Sequence, residues 1–381
     1  MTDAIRPFRI EIPDAALDDL RRRLGATRWP DPEPVDDWSQ GIPLAYVQEV
    51  CAYWAEKYDW RAREAALNRY PQFVTTLDDV DIHFVHVRSP HEDARPLVLT
   101  HGWPGSIVEF QKVIGPLTDP TAHGGNADDA FHLVCPSLPG YGFSGKPTRT
   151  GWGVQKIADT WSQLMQRLGY ERYLAQGGDW GAMVTTCIGI QDPDHCAAIH
   201  LNMPIVPPDP ATMSELSEAE QSALAGMKHY TDWDSGYSKE QSTRPQTVGY
   251  GLVDSPSGQA AWILEKFWSW MDCDGHPENV LTRDELLDNV MLYWLPGTAA
   301  SSARLYWESF NTPPMDTPKV PVGCSIFPKE IFRSSKRWAE KHFGGLLHWN
   351  ELEKGGHFAA FEQPETFVNE VRTCFRSLRT L

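Results

Sequence analysis

The chain has 381 residues, of which 41% are hydrophobic, and a formal net charge of −17. This length allows one large core with added segments, while the acidic surface argues against nucleic acid or an anionic membrane as a partner. No apolar run approaches the ~20 residues of a membrane span, and the N-terminus lacks a signal-peptide pattern, so we expect a cytoplasmic protein without a membrane anchor.

Residues 1–95 are predicted to form an N-terminal extension that leads into the core. Its first helix is expected to start at Asp14, a candidate N-cap that is followed by leucines at helical spacing. A second helix is predicted over residues 44–57. The alternation of apolar and polar side chains over residues 81–87 predicts a strand that opens the core sheet.

The first core segment is predicted over residues 96–203. It starts with an apolar run at 96–100, which is typical of a buried parallel strand. The turn that follows has the sequence His101-Gly102-Trp103-Pro104-Gly105-Ser106. Its glycines and proline either simply reverse the chain or present backbone N–H groups to a site. Further strands are predicted at 131–135 and 171–176.

The turn Gly177-Gly178-Asp179-Trp180-Gly181 lies between the last of these strands and an apolar helix start. Small residues around a central polar residue are typical of the nucleophile elbow of the α/β-hydrolase fold, here with Asp179 where serine is usual. We therefore predict an α/β-hydrolase core with a mostly parallel sheet, in which the N–H groups of Trp103 and Trp180 form an oxyanion hole. The alternative is that Asp179 only caps the helix.

An aspartate at the elbow changes the substrate that we expect. A carboxylate that attacks a carbonyl carbon gives an unstable anhydride, whereas attack on a saturated carbon gives an ester that water can later cleave. The substrate should therefore carry an electrophilic sp³ carbon with a leaving group, as an epoxide or an alkyl halide does.

Residues 204–318 break the alternation of strand and helix and are predicted to form an inserted helical cap. Within them, Ser217 to Glu220 and Thr282 to Glu285 match the capping box that begins a helix. The alternation returns in residues 319–381, which we predict to be the second part of the core.

Two residues of this last segment complete a predicted triad. Glu330 follows a predicted strand at 320–327, and His357 lies on a glycine loop after a predicted strand at 346–352. Nucleophile, acid and base occur in this order in α/β-hydrolases. A histidine on such a loop can act as a general base. Three rivals for the role of the acid lie nearby in sequence: Asp316, Glu351 and Glu353.

Taken together, these motifs resemble the microsomal-type epoxide hydrolases over nearly the whole chain, including residues 8–13, 244–252, 263–267 and 355–362. The resemblance implies a triad of Asp179, Glu330 and His357, and an N-terminal extension that braces the cap. It also implies two cap tyrosines, Tyr237 and Tyr306, that activate the epoxide oxygen. The substrate-binding residues that it implies are Trp103, Trp180, Tyr237 and Tyr306.

A phenolic acid suits this chemistry, because ring opening leaves an alkoxide that departs poorly unless it receives a proton. Tyrosine, with a pKa of ~10, is protonated at neutral pH and can supply one. The residues alone do not identify the tyrosines, since aromatic side chains also pack in a cap. Tyr230, Tyr250 and Tyr293 remain rivals.

We expect a small hydrophobic epoxide and water as substrates, with no cofactor and no metal. The seven cysteines are scattered without a Cys-x-x-Cys pair, which favours buried free thiols. The oligomeric state stays open, a homo-oligomer included. Two other functions also stay open: a haloalkane or haloacid dehalogenase with the same nucleophile, and a non-catalytic ligand-binding homologue. Five tryptophans of the predicted cap are candidates for an aromatic cavity: Trp262, Trp268, Trp270, Trp294 and Trp307.

Overall fold

The computed structural model describes residues 4–310 and 316–378. Within these ranges the chain forms one sheet of nine strands. The strands are β1 (Arg6–Phe8), β2 (Gln72–Leu77), β3 (Val80–Val87), β4 (Arg95–Thr100), β5 (Phe131–Pro136), β6 (Tyr173–Gly177), β7 (Cys196–Leu201), β8 (Val322–Ile326) and β9 (His348–Glu351). Their order across the sheet is β1-β2-β3-β5-β4-β6-β7-β8-β9.

The larger part of the sheet is parallel. Strands β5, β4, β6, β7, β8 and β9 pair in parallel, while β3, β2 and β1 extend the β5 edge with antiparallel pairing. Leu97, Val98 and Leu99 of β4 have no exposed surface, as expected of a parallel strand that is covered on both faces. The carboxyl ends of β4, β6, β8 and β9 therefore share one edge, where ligand sites of such sheets form.

Fifteen α-helices lie in the described ranges. They are α1 (Asp14–Gly25), α2 (Leu44–Glu56), α3 (Trp60–Leu67), α4 (Ile114–Thr118), α5 (Val154–Arg167), α6 (Trp180–Gln191), α7 (Glu218–His229), α8 (Gly236–Thr243), α9 (Pro245–Asp254), α10 (Pro256–Trp270), α11 (Arg283–Trp294), α12 (Ala299–Phe310), α13 (Lys336–Phe343), α14 (Ala359–Glu362) and α15 (Pro364–Phe375). Helices α7–α12 lie between β7 and β8 in the chain, and we call them the cap. A π-helical segment, Tyr230–Asp234, joins α7 to α8.

The N-terminal helices brace the cap through polar contacts with α11. The carboxylate of Asp288 is almost fully buried and accepts hydrogen bonds from the Tyr58 hydroxyl (2.7 Å) and from Arg63 Nε (2.8 Å). The Tyr53 hydroxyl donates to Asp284 over 2.8 Å. Burial raises the pKa of Asp288 although Arg63 opposes this change. The Arg63 guanidinium therefore offsets part of the cost of burying the Asp288 carboxylate in this interface.

The structure confirms most of the predicted elements and changes some. Both capping boxes form, at the starts of α7 and α11. The N-cap prediction for Asp14 is wrong, because Pro13 takes the N-cap position and Asp14 is the first residue of α1. All seven cysteines lie in the described ranges, where they are free and buried as predicted. No helix formed by the described residues is both long and apolar enough to cross a membrane.

Candidate active site

Asp179 lies in the sharp turn between β6 and α6. Its backbone has φ +49° and ψ −130°, a conformation that non-glycine residues rarely adopt. The turn is so tight that an added Cβ at Gly177 would lie 2.1 Å from the Gly181 oxygen, and one at Gly181 would lie 1.9 Å from the Thr100 oxygen. The helix-capping alternative is wrong, because within the described chain the Asp179 side chain makes no capping hydrogen bond to α6.

The Asp179 carboxylate instead faces the edge of the sheet. Its Oδ1 accepts a hydrogen bond from the Trp103 backbone N–H over 2.7 Å. Its Oδ2 lies 3.3 Å from Nε2 of His357. A Cβ at Gly102 would meet Oδ1 at 2.0 Å, so glycine is required there for the carboxylate to reach the N–H group.

The turn after β4 is fixed from above by α11 of the cap. The Asn289 side-chain amide donates to the Pro104 carbonyl over 2.7 Å, and the Tyr293 hydroxyl donates to the Gly105 carbonyl over 2.6 Å. These two bonds position the Trp103 N–H relative to Asp179. The hydroxyl of Tyr293, one of the rival tyrosines, thus already donates a hydrogen bond to the backbone of this turn.

His357 and Glu330 form a buried pair at the ends of β9 and β8. The His357 Nδ1–H donates to Glu330 Oε1 over 2.6 Å, and both side chains are almost fully buried. The same oxygen accepts the Ile331 N–H over 2.7 Å. A parallel bridge between Lys329 and Gly356 joins the two loops. The structure therefore brings Glu330 to His357, as the sequence analysis predicted. The three rival acids, Asp316, Glu351 and Glu353, are exposed.

The surroundings of His357 favour its charged form. Burial by itself lowers the pKa of an imidazole, but here the Glu330 charge and the contacts with Asp179 outweigh it and raise the pKa of His357 well above its usual value. In the free protein the two carboxylates thus stabilise the charged form of this side chain.

The loop that carries His357 is held by Glu362, a residue whose role the sequence analysis missed. The Glu362 carboxylate accepts three backbone N–H bonds of 2.9–3.0 Å, from Asp272, Gly356 and Phe358. Burial raises its pKa to about 7. In the sequence, residues 355–362 enter only through the family resemblance. The signal that could have identified Glu362 is its place five residues after His357 in that motif.

Tyr237 and Tyr306 come from α8 and α12 and meet above the elbow. The Tyr237 ring stacks on Trp103, with centroids 4.8 Å apart and planes at 9°. The Tyr306 ring lies edge-on to Trp180, with centroids 4.7 Å apart and planes at 85°. The two tyrosine rings are 5.8 Å apart. The structure thus brings together all the predicted site residues, and aromatic contacts determine where the phenols lie.

The hydroxyl groups of the two tyrosines differ in their partners. The Tyr237 hydroxyl lies 3.0 Å from that of Tyr230, whereas the buried Tyr306 hydroxyl has no hydrogen-bond partner among the described residues. Burial first, and then neighbouring groups that include Asp179, raise the pKa of both phenols well above 10. They therefore stay protonated donors at neutral pH. Of the remaining rivals, Tyr230 joins the site as a neighbour, while Tyr250 is 73% exposed.

Of the five candidate tryptophans, Trp270 is the one whose ring packs against the rings of described site residues. Trp270 packs 5.2 Å from Tyr237 and 5.0 Å from His357, measured between ring centroids, and its carbonyl accepts the His357 N–H over 2.9 Å. Trp268 instead stacks on Trp38, and Trp307 is 40% exposed. Nowhere in the described ranges do three or more His, Cys, Asp or Glu side chains gather as metal ligands would.

Comparisons with known proteins agree with this geometry. The family described as "Epoxide hydrolase N terminus" matches residues 5–110, and the "alpha/beta hydrolase fold" family matches residues 95–242. A protein of Stigmatella aurantiaca (strain DW4/3-1), provisionally described as an epoxide hydrolase, is 58% identical over 98% of this chain and 86% of its own. Epoxide hydrolase 1 of Sus scrofa is 36% identical over 97% of this chain and 88% of its own.

A solved structure shows the same architecture. The crystal structure of juvenile hormone epoxide hydrolase from the silkworm Bombyx mori superposes with a TM-score of 0.90 at 31% identity, and the match covers 100% of this chain and 96% of that one. The predicted fold class and the resemblance are thereby confirmed. The chain is an enzyme of the epoxide hydrolase family on the α/β-hydrolase fold.

Proposed function

We propose that this enzyme converts an epoxide to a vicinal diol through an ester formed on Asp179. One observation carries the proposal: a single carboxylate is held between a backbone N–H group, that of Trp103, and the imidazole of His357. A carboxylate that only stabilised the fold would not need a histidine paired with a second buried acid beside it.

The first step is attack on an epoxide carbon. We assign it to Oδ2 of Asp179, because Oδ1 is already occupied by the Trp103 N–H. The C–O bond of the ring breaks as the new C–O bond forms. Tyr237 and Tyr306 donate hydrogen bonds to the departing oxygen, and one of them transfers its proton to it. The product of this step is a hydroxyalkyl ester.

The second step is hydrolysis of that ester. Once Asp179 is esterified its negative charge is gone, so one of the contacts that raises the pKa of His357 is lost. His357 then gives up its extra proton, which passes through solvent to the tyrosinate that the first step left. The neutral imidazole takes a proton from water while the water oxygen attacks Cγ of Asp179. The oxyanion that forms is stabilised by the Trp103 N–H and by the Trp180 N–H, which belongs to the first turn of α6 and has no acceptor within the helix. Its collapse breaks the ester C–O bond, so that the diol oxygen leaves with the proton that His357 holds and the Asp179 carboxylate is restored.

The substrate that fits is a small hydrophobic epoxide. Around the elbow the chain presents aromatic rings, with Trp103, Trp180 and Trp270 beside the two tyrosines. Such walls bind apolar substituents, while the phenol hydroxyls bind the one polar atom of the ring. None of the steps draws on a cofactor.

The test is product formation from a panel of aromatic and aliphatic epoxides, with halide release from haloalkanes measured alongside. We expect a diol from at least one epoxide, and loss of this activity by more than about 10⁴-fold in Asp179→Ala. Halide without diol would move the assignment to a dehalogenase. Normal diol formation by Asp179→Ala would exclude the proposed nucleophile.

A second experiment separates the two steps. His357→Gln keeps the nucleophile but lacks the base, so it should form the ester and then stall. Intact-mass analysis after addition of the substrate should show one adduct of the substrate mass. An unmodified mass at substrate concentrations that the wild type turns over would count against the ester.

A further inference from the structure

A narrow cavity adjoins Asp179 on the side of the sheet. About 20 Å³ of it is open to the centre of a water molecule, which is room for about one water. Its walls include Asp179, His357, Glu109, Gln176 and Asn202. These walls come from the loops and strands of the core, and no described residue of the cap lines it. The cavity therefore lies on the core side of Asp179, away from the two cap tyrosines.

The cavity contains a polar atom that needs a donor. Gln176 is 1% exposed, and its Nε2 donates to Asn202 Oδ1 over 2.8 Å. Its Oε1 has no hydrogen-bond partner among the described residues. Since buried acceptors in folded proteins are nearly always paired with protein groups or ordered water, this oxygen favours a water molecule in the cavity.

Glu109 brings a carboxyl group to the same cavity. It lies in the short 3₁₀ turn Ile107–Phe110, which follows the turn that carries Trp103. Its carboxyl interacts with the Ser106 backbone N–H and with the charges of His357 and Asp179. It also folds back over Gly105 so closely that an added Cβ there would lie 1.5 Å from Oε1.

Loss of hydration raises the pKa of Glu109 to about 8, and the Asp179 charge adds to this rise. At neutral pH the side chain is therefore mostly a neutral acid. A neutral acid does not place another negative charge beside the nucleophile, and its O–H can donate a hydrogen bond.

We propose that this cavity binds the water that hydrolyses the ester, and that Glu109 is its positioning residue. The inference rests on the proposed function. One O–H of the water donates to His357 and is the proton that the imidazole removes. The other O–H donates to Oε1 of Gln176, and the protonated Glu109 carboxyl donates its own O–H to the water oxygen without losing that proton. This orientation leaves an oxygen lone pair free to attack Cγ of Asp179.

The experiment compares Glu109→Ala with Glu109→Gln in single turnovers. Rapid quenching followed by intact-mass analysis measures the formation and the decay of the ester. We expect Glu109→Ala to form the ester within about threefold of the wild-type rate and to hydrolyse it at least about tenfold more slowly. Glu109→Gln, which imitates the neutral acid, should hydrolyse it within about threefold of the wild type.

A role in the local fold alone predicts another pattern, because loss of the Ser106 contact would change both steps together. Equal slowing of ester formation and decay in Glu109→Ala, or decay at the wild-type rate, would overturn the proposal. So would a glutamine variant as slow as the alanine variant.

A variant that leaves Glu109 itself intact gives an independent check. Gly105→Ala adds a methyl group where the carboxyl now lies, so it should displace Glu109 and again slow only the decay of the ester. Ester formation and decay both at wild-type rates would contradict the water site. Failure of His357→Gln to form any ester would instead contradict the proposed function, so the two ideas fail in different ways.

Discussion

The two sides of the Asp179 carboxylate are held in place by different forces. On the core side, hydrogen bonds of 2.6 and 2.7 Å join His357 to Glu330 and Asp179 to the Trp103 N–H. On the cap side, Tyr237 and Tyr306 are positioned by ring contacts with Trp103 and Trp180, and the Tyr306 hydroxyl lacks a partner in the described chain.

This difference matches what the proposed mechanism requires of each side. In that mechanism a proton passes between His357 and water over a short distance, so the imidazole must be fixed in orientation and tautomer, which a buried carboxylate achieves. The phenols instead have to meet an oxygen that belongs to the substrate. Ring packing fixes their position while leaving a hydroxyl available, so the hydrolysis and ring-opening steps should respond to different substitutions.

The largest effect on the cap side is expected when both hydroxyls are removed and both rings are kept. In Tyr237→Phe combined with Tyr306→Phe, the rate of ester formation should fall by about 10³-fold or more, because general acid catalysis contributes roughly 10²–10⁴-fold. Rapid-quench mass analysis measures this rate. Tyr250→Phe, at a tyrosine that is 73% exposed, is the matched control. A double variant with wild-type ring opening would show that the phenols only pack.

On the core side, Glu330→Gln should slow hydrolysis of the ester by about 10²-fold, since the base loses its orientation. The sign of its effect on pH dependence follows from charge. The Glu330 anion raises the pKa of His357, so its removal lowers that pKa, and the acidic limb of the kcat profile should move to lower pH.

The matched control for Glu330 is Glu351→Gln, because Glu351 is an exposed acid at the end of β9. The measurement is the pH profile of kcat between about pH 5 and 9, a range that spans the usual pKa values of histidine. An acidic limb that moves upward, or a similar change in the control, would contradict the assignment of Glu330.

The sequence predicted the site well where backbone geometry demands particular residues. A Cβ at Gly102 would collide with Asp179, and one at Gly177 would collide with Gly181. The turns that hold the nucleophile can therefore be recognised in the sequence by their glycines. The same is true of the capping boxes, which are local. The acid was harder to predict from the sequence. Glu330 differs from the exposed rival acids in being buried beside His357, and this contact joins the ends of two different strands.

Other features depend on contacts that are distant in sequence, and they were missed. Strand β7 is a short apolar run whose place is set by pairing with β6 and β8. Helix α5 is an exception, because Ile157, Trp161 and Leu164 recur at helical spacing and would have allowed its prediction. Glu362 acts on the backbone around Asp272, which lies in the cap segment. Position in the chain does not show which of the five tryptophans meets the site, because the direction of each side chain decides that Trp270 packs against Tyr237 and His357.

A smaller effect on the core side is expected at Glu362. In Glu362→Ala three backbone N–H groups around the His357 loop lose their acceptor. We expect kcat to fall by about tenfold and the free energy of unfolding by about 3 kcal/mol, since each buried unpaired group costs ~1–3 kcal/mol and water satisfies some of them.

Activity assays and urea unfolding of Glu362→Ala measure these two quantities, and Glu365→Ala, at an exposed acid of α15, is the control. If stability falls while kcat is unchanged, Glu362 supports the fold without positioning His357.

The smallest effect is expected at Tyr230, whose hydroxyl lies 3.0 Å from that of Tyr237. If Tyr230 donates to Tyr237, it strengthens Tyr237 as a donor to the epoxide oxygen, because hydrogen bonds in a chain polarise one another. Tyr230→Phe should then slow ester formation by about threefold, in line with a net hydrogen bond of ~0.5–1 kcal/mol, and leave hydrolysis unchanged. A faster ring opening would show the reverse: Tyr237 donates to Tyr230 in the free enzyme and must break that bond before it can bind the substrate.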